Sequence, residues 1–290
     1  MDKIFLTPRA KINVALDVIK KRSDGYHELD TIMQTVSLHD ELYIKKIDAG
    51  KIEFSVDSPF LITNNDNLVY RAALYMMNRF NITCGVHIEL KKNIPVSAGL
   101  GGGSADCAAA LVGMRDLFEL PVSDGELIKL SERFGADVPF CIKGGTARAR
   151  GKGELLEALP PHPRVNVLIV RPPEKVSTAE VFNEFIIGGE YPRPDIDKVV
   201  EGINKNDLRF VASGMGNVLE SVTEKKLPQI ARVKKIMTAK GALCASMSGS
   251  GPCVFGYFEK KSDMDAAGFE IREKEGIDEI FSTDIFMPKD

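Results

Sequence analysis

The sequence predicts an α+β fold in two parts, on three observations. Residues 10–18 alternate apolar and polar side chains, which is the period of a strand. A glycine run at 99–103 leads directly into an alanine-rich segment that reads as a helix. Beyond residue 160, strand-like and helix-like segments mix without the strict repetition of a parallel β–α–β protein.

Taken in order, Ala10, Ile12, Val14, Leu16 and Val18 define the first strand, and Lys11 and Asn13 emerge together on its other face. Ser23-Asp24-Gly25 is a turn signal, followed by Tyr26-His27-Glu28-Leu29. Strands are expected at Glu41–Lys46, Lys51–Val56 and Val86–Leu90, and a helix over Asn67–Phe80. The alanine-rich helix covers Ala105–Phe118. Ser123, with Glu126 three residues on, caps a second helix to Phe134. Gly135-Ala136-Asp137-Val138-Pro139 ends it, and Pro160-Pro161-His162-Pro163 reads as a linker. This divides the chain into domains at 1–160 and 161–290.

The second domain should open with a strand at Val165–Val170. Helices at Thr178–Ile187, Asp195–Asn204, Asn217–Thr223 and Gln229–Lys240 follow. Leu243–Met247 and Cys253–Phe258 read as two strands joined by Ser248-Gly249-Ser250-Gly251-Pro252. A helix at Asp263–Glu275 and a strand at Glu279–Phe286 complete the series.

Composition narrows the function. The 290 residues carry 38 basic and 41 acidic side chains, a net charge of −3. That balance offers no basic face for nucleic acid. Trp is absent, so a stacking platform for single strands is not expected either. No apolar run is long enough to span a bilayer, which takes about 18 residues. The first residues lack a signal-peptide pattern, and a cytoplasmic protein is expected. Cys84, Cys107, Cys141, Cys244 and Cys253 form no C-x-x-C pair, and five buried, reduced thiols are the expectation.

Gly99-Leu100-Gly101-Gly102-Gly103-Ser104 before a helix suits an anion. Glycines let backbone N–H groups approach it, and a helix N-terminus adds free donors and about half a positive charge. A tight packing turn is the competing reading. The run is not a Walker loop, because G-x-x-x-x-G-K-[ST] occurs nowhere. Nor is it a dinucleotide fingerprint, since the third glycine falls on Asp106, or on Val254 for the second glycine cluster.

Pro95-Val96-Ser97-Ala98-Gly99-Leu100-Gly101-Gly102-Gly103-Ser104 resembles the central motif of the GHMP kinases, P-x-x-x-G-L-G-S-S-A-A. Ala10-Lys11-Ile12-Asn13 resembles their first motif and Ser246-Met247-Ser248-Gly249-Ser250-Gly251 their third, in the family's order and spacing. The segments DGYHELDTIMQTVSLHD and GADVPFCIKGGTARARGKGELL are similar to members whose substrate carries a cytidine diphosphate head. Those members act in the non-mevalonate isoprenoid pathway. Gly102 and Gly103, where most relatives have Ser, fit that branch and remove a hydroxyl that relatives use near Mg²⁺.

The resemblance implies two α+β domains, with an N-terminal nucleotide-binding half, a ferredoxin-like C-terminal half and the active site in the cleft between them. It implies ATP and Mg²⁺ as cofactors, with the metal ligands unassigned. Pro95 to Ser104, with Ala105, would wrap the triphosphate, Asn67 and Leu68 would lie beside adenine, and Lys92 would assist. Asp137 would stand next to the acceptor hydroxyl as general base or orienting group. Lys11 would keep Asp137 ionised and stabilise charge in the transition state. Tyr26 and His27 would read the cytosine. Asn13, Thr178, Phe182, Gly249, Ser250 and Gly251 would complete the substrate site. Taken alone, a lysine on a strand face is usually solvated, and an Asp in a loop is usually a cap. Another GHMP kinase, acting on mevalonate, phosphomevalonate, homoserine or a sugar, is the alternative. A non-catalytic sensor of the same fold is the remoter one.

Overall fold

The computed structural model describes residues 1–48, 50–58 and 61–287. The first elements are β1 (Lys3–Leu6), β2 (Arg9–Lys21), β3 (His27–His39), β4 (Glu41–Ile47) and β5 (Ile52–Val56). Then come α1 (Leu68–Arg79), β6 (Gly85–Lys91), α2 (Gly102–Leu117), α3 (Asp124–Ser131), α4 (Val138–Lys143), β7 (Thr146–Gly151) and β8 (Leu155–Ala158). β9 (Asn166–Val170), α5 (Thr178–Glu184), α6 (Ile196–Asn204), α7 (Leu208–Gly214) and β10 (Gly216–Asn217) follow. The last are α8 (Glu220–Lys226), α9 (Gln229–Ala239), β11 (Cys244–Met247), β12 (Val254–Phe258), α10 (Lys261–Glu275) and β13 (Ile280–Asp284). No helix among the described residues is long and apolar enough to cross a membrane.

Two units share these elements, and they interleave along the chain. The first unit takes Met1–Ala10, Leu38–Val96 and Gly101–Lys143. Its sheet runs β1-β4-β6-β5, antiparallel except for the parallel β5–β6 pair. Leu42, Ile44, Val86 and Ile88 from the sheet pack with Ala72 and Met76 of α1 and with Leu111 and Met114 of α2. The Asn67 side chain caps α1 by accepting the Val69 N–H at 2.9 Å. At α3, Ser123 and Glu126 form the reciprocal capping box that their spacing predicts.

Lys11–Ser37, Ser97–Leu100 and the chain from Gly144 onward make up the second unit. One of its sheets runs β10-β2-β3-β7-β8 and the other β11-β12-β9-β13. The second sheet, with α9 and α10, follows a β–α–β–β–α–β order, which is the ferredoxin-like arrangement expected from the resemblance. Its core joins Leu168, Val170, Val254 and Phe258 of the strands to Val233, Met237, Ala267 and Ile271 of the helices. At the far end of the sequence, Ile285 bridges to Val36 and the Phe286 N–H donates to the Thr35 carbonyl at 3.0 Å.

Several local expectations need correction. β2 is buried on both faces rather than one, so Lys11 is only 4% exposed. Asn217 starts no helix. Gly216 and Asn217 pair in parallel with Ala15 and Leu16, and the helix begins at Glu220. His162, in the expected linker, is buried. Its Nδ1 donates to the Pro163 carbonyl at 2.7 Å, and its Nε2 accepts from the Tyr257 hydroxyl at 3.3 Å. Of the five cysteines, Cys107 and Cys253 are buried and the other three are half-buried.

Candidate active site

In the first unit, the site residues gather at the start of α2. Gly101 is its N-cap in the left-handed region, with φ of 68°, a conformation that glycine adopts without Cβ strain. No side chain caps this end, and no acidic residue occupies the first turn. The first amides of α2 are therefore left for an external acceptor. A Cβ on Gly103 would meet nothing within 4 Å, so the space over this turn is open. Buried Ala105 backs the turn from the core side. Asn67 and Leu68 stand at the N-terminus of α1, and Leu68 packs on the same core as α2.

Lys92 is not a surface lysine. Its side chain is 7% exposed, and its ammonium donates to Asp40 Oδ2 and to Asp106 Oδ2, the latter at 2.6 Å. Asp137 lies in the turn before α4, where its carbonyl accepts the Cys141 N–H at 3.0 Å.

The second unit brings together most of the residues expected at the acceptor. Lys11 Nζ donates to Asn13 Oδ1 at 2.7 Å, and Asn13 Nδ2 donates to Thr31 Oγ1 at 2.9 Å. The Asn13 N–H reaches Ser248 Oγ at 3.3 Å, and that hydroxyl donates to the Gly99 carbonyl at 2.9 Å. The strand that carries Lys11 is thus bound to the Ser97–Leu100 turn and the 248–251 turn. The Lys11 N–H adds a bond to the Leu100 carbonyl at 2.9 Å. Gly99 has φ of 77°, and a Cβ there would fall 2.1 Å from the Ser248 carbonyl oxygen, so only glycine fits.

The His27 ring packs on Phe182 of α5 at 5.2 Å between centroids. Burial, and secondarily the Lys21 charge, lowers the His27 pKa, so its imidazole is neutral at physiological pH. Tyr26 is 60% exposed, and the Lys152 ammonium lies 4.8 Å from its ring centre. Thr178 Oγ1 shares a hydrogen bond with Ser250 Oγ at 2.8 Å. This unit therefore carries an exposed aromatic ring, a neutral imidazole, hydroxyls and an ammonium.

Sequence reasoning missed four residues that hold these parts. Asp40 and Asp106 grip Lys92. Asn217 Nδ2 donates to the carbonyls of Met247 and Gly249 at 2.8 and 2.7 Å, and Thr223 Oγ1 reaches the Ser250 carbonyl at 3.4 Å. The one local signal was an acidic residue, Asp106, set among the alanines of the first half of α2.

No group of three or more His, Cys, Asp or Glu side chains poised for a metal occurs among the described residues.

Residues 67–145 match the model of the GHMP kinases N terminal domain, and residues 199–276 that of the GHMP kinases C terminal region. A protein of Lachnospira eligens named 4-diphosphocytidyl-2-C-methyl-D-erythritol kinase is 45% identical over 288 residues, covering 99% of this chain and 100% of that protein. The crystal structure of a 4-(cytidine 5'-diphospho)-2C-methyl-D-erythritol kinase superposes with a TM-score of 0.84 at 31% identity, over 98% of this chain and 100% of that one. Homoserine kinase from Cytophaga hutchinsonii shares the fold, with a TM-score of 0.77 at 21% identity, over 98% and 94% of the two chains. With both family domains matched in order and a relative of this identity along its whole length, the chain belongs to the GHMP kinase family.

Proposed function

We propose that this chain is an ATP-dependent kinase that phosphorylates the 2-hydroxyl of 4-diphosphocytidyl-2-C-methyl-D-erythritol, in the non-mevalonate route to isoprenoid precursors. The observation that carries the substrate assignment is the ring pair of His27 and Phe182 beside exposed Tyr26. Mevalonate and homoserine have no base to stack, whereas cytosine offers a face to the rings and an edge to a neutral imidazole.

The nucleotide binds at the start of α2. Pro95 to Ala105 surround its phosphates, and Asn67 and Leu68 lie beside the base. Bound ATP supplies the phosphoryl group, and Mg²⁺ offsets the charge of its phosphates. The acceptor oxygen bonds to the γ-phosphorus as the bond to the ADP oxygen breaks. Asp137 takes the hydroxyl proton, and the Lys11 ammonium stabilises charge on the transferring group. Asn13 orients Lys11 through their 2.7 Å hydrogen bond. Thr178, Phe182 and Gly249 to Gly251 hold the substrate. Along the chain, 1–160 and 161–290 are the family's N- and C-terminal domains, and the enzyme works in the cytoplasm.

The test is ADP release from ATP and Mg²⁺ with 4-diphosphocytidyl-2-C-methyl-D-erythritol, mevalonate or homoserine as sole acceptor. Turnover with the cytidyl substrate alone is expected. Turnover with mevalonate or homoserine instead would sink the substrate assignment, and ATP binding without any turnover would favour the non-catalytic reading.

A further inference from the structure

Beneath the first turn of α2 lies a charged trio that the phosphoryl-transfer scheme leaves without a role. Asp40, just past β3, is fully buried. Its Oδ1 accepts the N–H groups of Asn93 and Ile94 at 2.6 and 2.8 Å, and its Oδ2 accepts from Lys92. Lys92 also holds Asp106, one turn into α2. A Cβ on Gly102 would come within 2.9 Å of Ile94 Cγ2 and 3.4 Å of Lys92 Nζ. The chain entering the glycine run and the helix leaving it are therefore joined by three side chains.

A buried charged trio is a costly way to make a joint that serves structure alone. Buried ion pairs seldom stabilise more than apolar residues of the same volume, because desolvation offsets their attraction. Here a single ammonium serves two carboxylates, and Asp106 Oδ1 is buried with no hydrogen-bond partner. Burial drives the Asp106 carboxyl well above the usual range, opposed by Lys92 and reinforced by Asp40.

We propose that Asp40, Lys92 and Asp106 are positioning residues for the nucleotide: a buried clamp that fixes both ends of the glycine run, so that the α2 amides meet the phosphates in one geometry. Lys92 acts through its two carboxylates and not by touching ATP. The proposal rests on the reading of the glycine run as the nucleotide site.

The test is ADP titration calorimetry and steady-state kinetics on the full chain with Lys92→Met, Asp40→Asn, their double variant and Lys92→Arg. Both single variants should weaken ADP binding and raise KM for ATP at least about tenfold, with KM for the acceptor within about twofold. The double variant should be no worse than the weaker-binding single, because both break one link. Lys92→Arg keeps the charge and both partners and should recover most of the loss. Asp40→Asn with unchanged ADP affinity would overturn the clamp, as would an equal rise in KM for both substrates. If Lys92→Met does not fold, Asp40→Asn and Lys92→Arg still decide. A wild-type chain that does not bind ADP would overturn the nucleotide reading itself.

Discussion

The two glycine turns of this molecule are held in different ways. The turn that opens α2 stands over a buried ammonium shared by two carboxylates. The Ser248–Gly251 turn is held by neutral bonds, from the Asn217 amide, the Thr223 hydroxyl and the Asn13 backbone. A charged clamp gives strong, directional restraint beside a polyanion, but its strength depends on protonation. A neutral brace is weaker per bond and indifferent to pH. Each turn therefore has its own vulnerability.

If both turns only position their ligands, the chemistry resides elsewhere, and the largest loss should follow from Asp137→Ala or Lys11→Ala. Either should cut kcat by about 10²–10⁴-fold while ADP still binds. Single-turnover assays with calorimetry check this, and near-normal kcat in the Asp137 variant would remove it from the proton-transfer role. Next is Gly99→Ala, where the new Cβ meets the Ser248 carbonyl and φ is 77°. A loss of about 3 kcal/mol in urea unfolding is expected, from strain and overpacking together. Gly103→Ala meets nothing within 4 Å and should unfold as the parent does.

Smaller still, Asn217→Ala should cost about 2 kcal/mol by leaving the Met247 and Gly249 carbonyls unpaired. It should raise KM for the acceptor more than KM for ATP, the reverse of the clamp variants. A pH effect completes the order. Burial lowers the His162 pKa to about 4, so the folded chain resists a proton that the unfolded chain accepts near 6.5. Its contribution is present above pH 6.5 and lost as pH falls toward 4, up to about 3 kcal/mol. His162→Gln should flatten stability over that window. Asp106 has the opposite sign, because its raised pKa makes the folded state lose ground as pH rises above the unfolded carboxylate value.

What the sequence disclosed was what neighbouring residues decide among themselves. Asn67, Ser123 and Glu126 cap their helices within three positions, and the glycine run announces α2. Lys11 and Asn13 share a strand face two residues apart, as the strand period predicted, and on that face they form a hydrogen bond. Asn217 was read as helical because the parallel strand that claims it lies far away at Ala15 and Leu16. His162 looked like linker because three prolines surround it, while Tyr257 buries it from 95 positions away. The clamp was invisible for the same reason. Asp40 and Asp106 lie 52 and 14 positions from Lys92, and nothing local pairs a charge with a partner at that distance.

The bond from Gln34 to the Phe286 carbonyl spans 252 positions. A ribosome adding about 5–20 residues per second releases β3 roughly ten to fifty seconds before that partner exists. Through that interval the buried stretch Thr31–Val36 has no closing edge at Ile285 and Phe286. The strand that begins with His27 is thus made among the first and finished among the last. Chaperone dependence, and injury from any cut before Ile280, should be felt at the proposed acceptor residues of β2 and β3 rather than at the turn that opens α2.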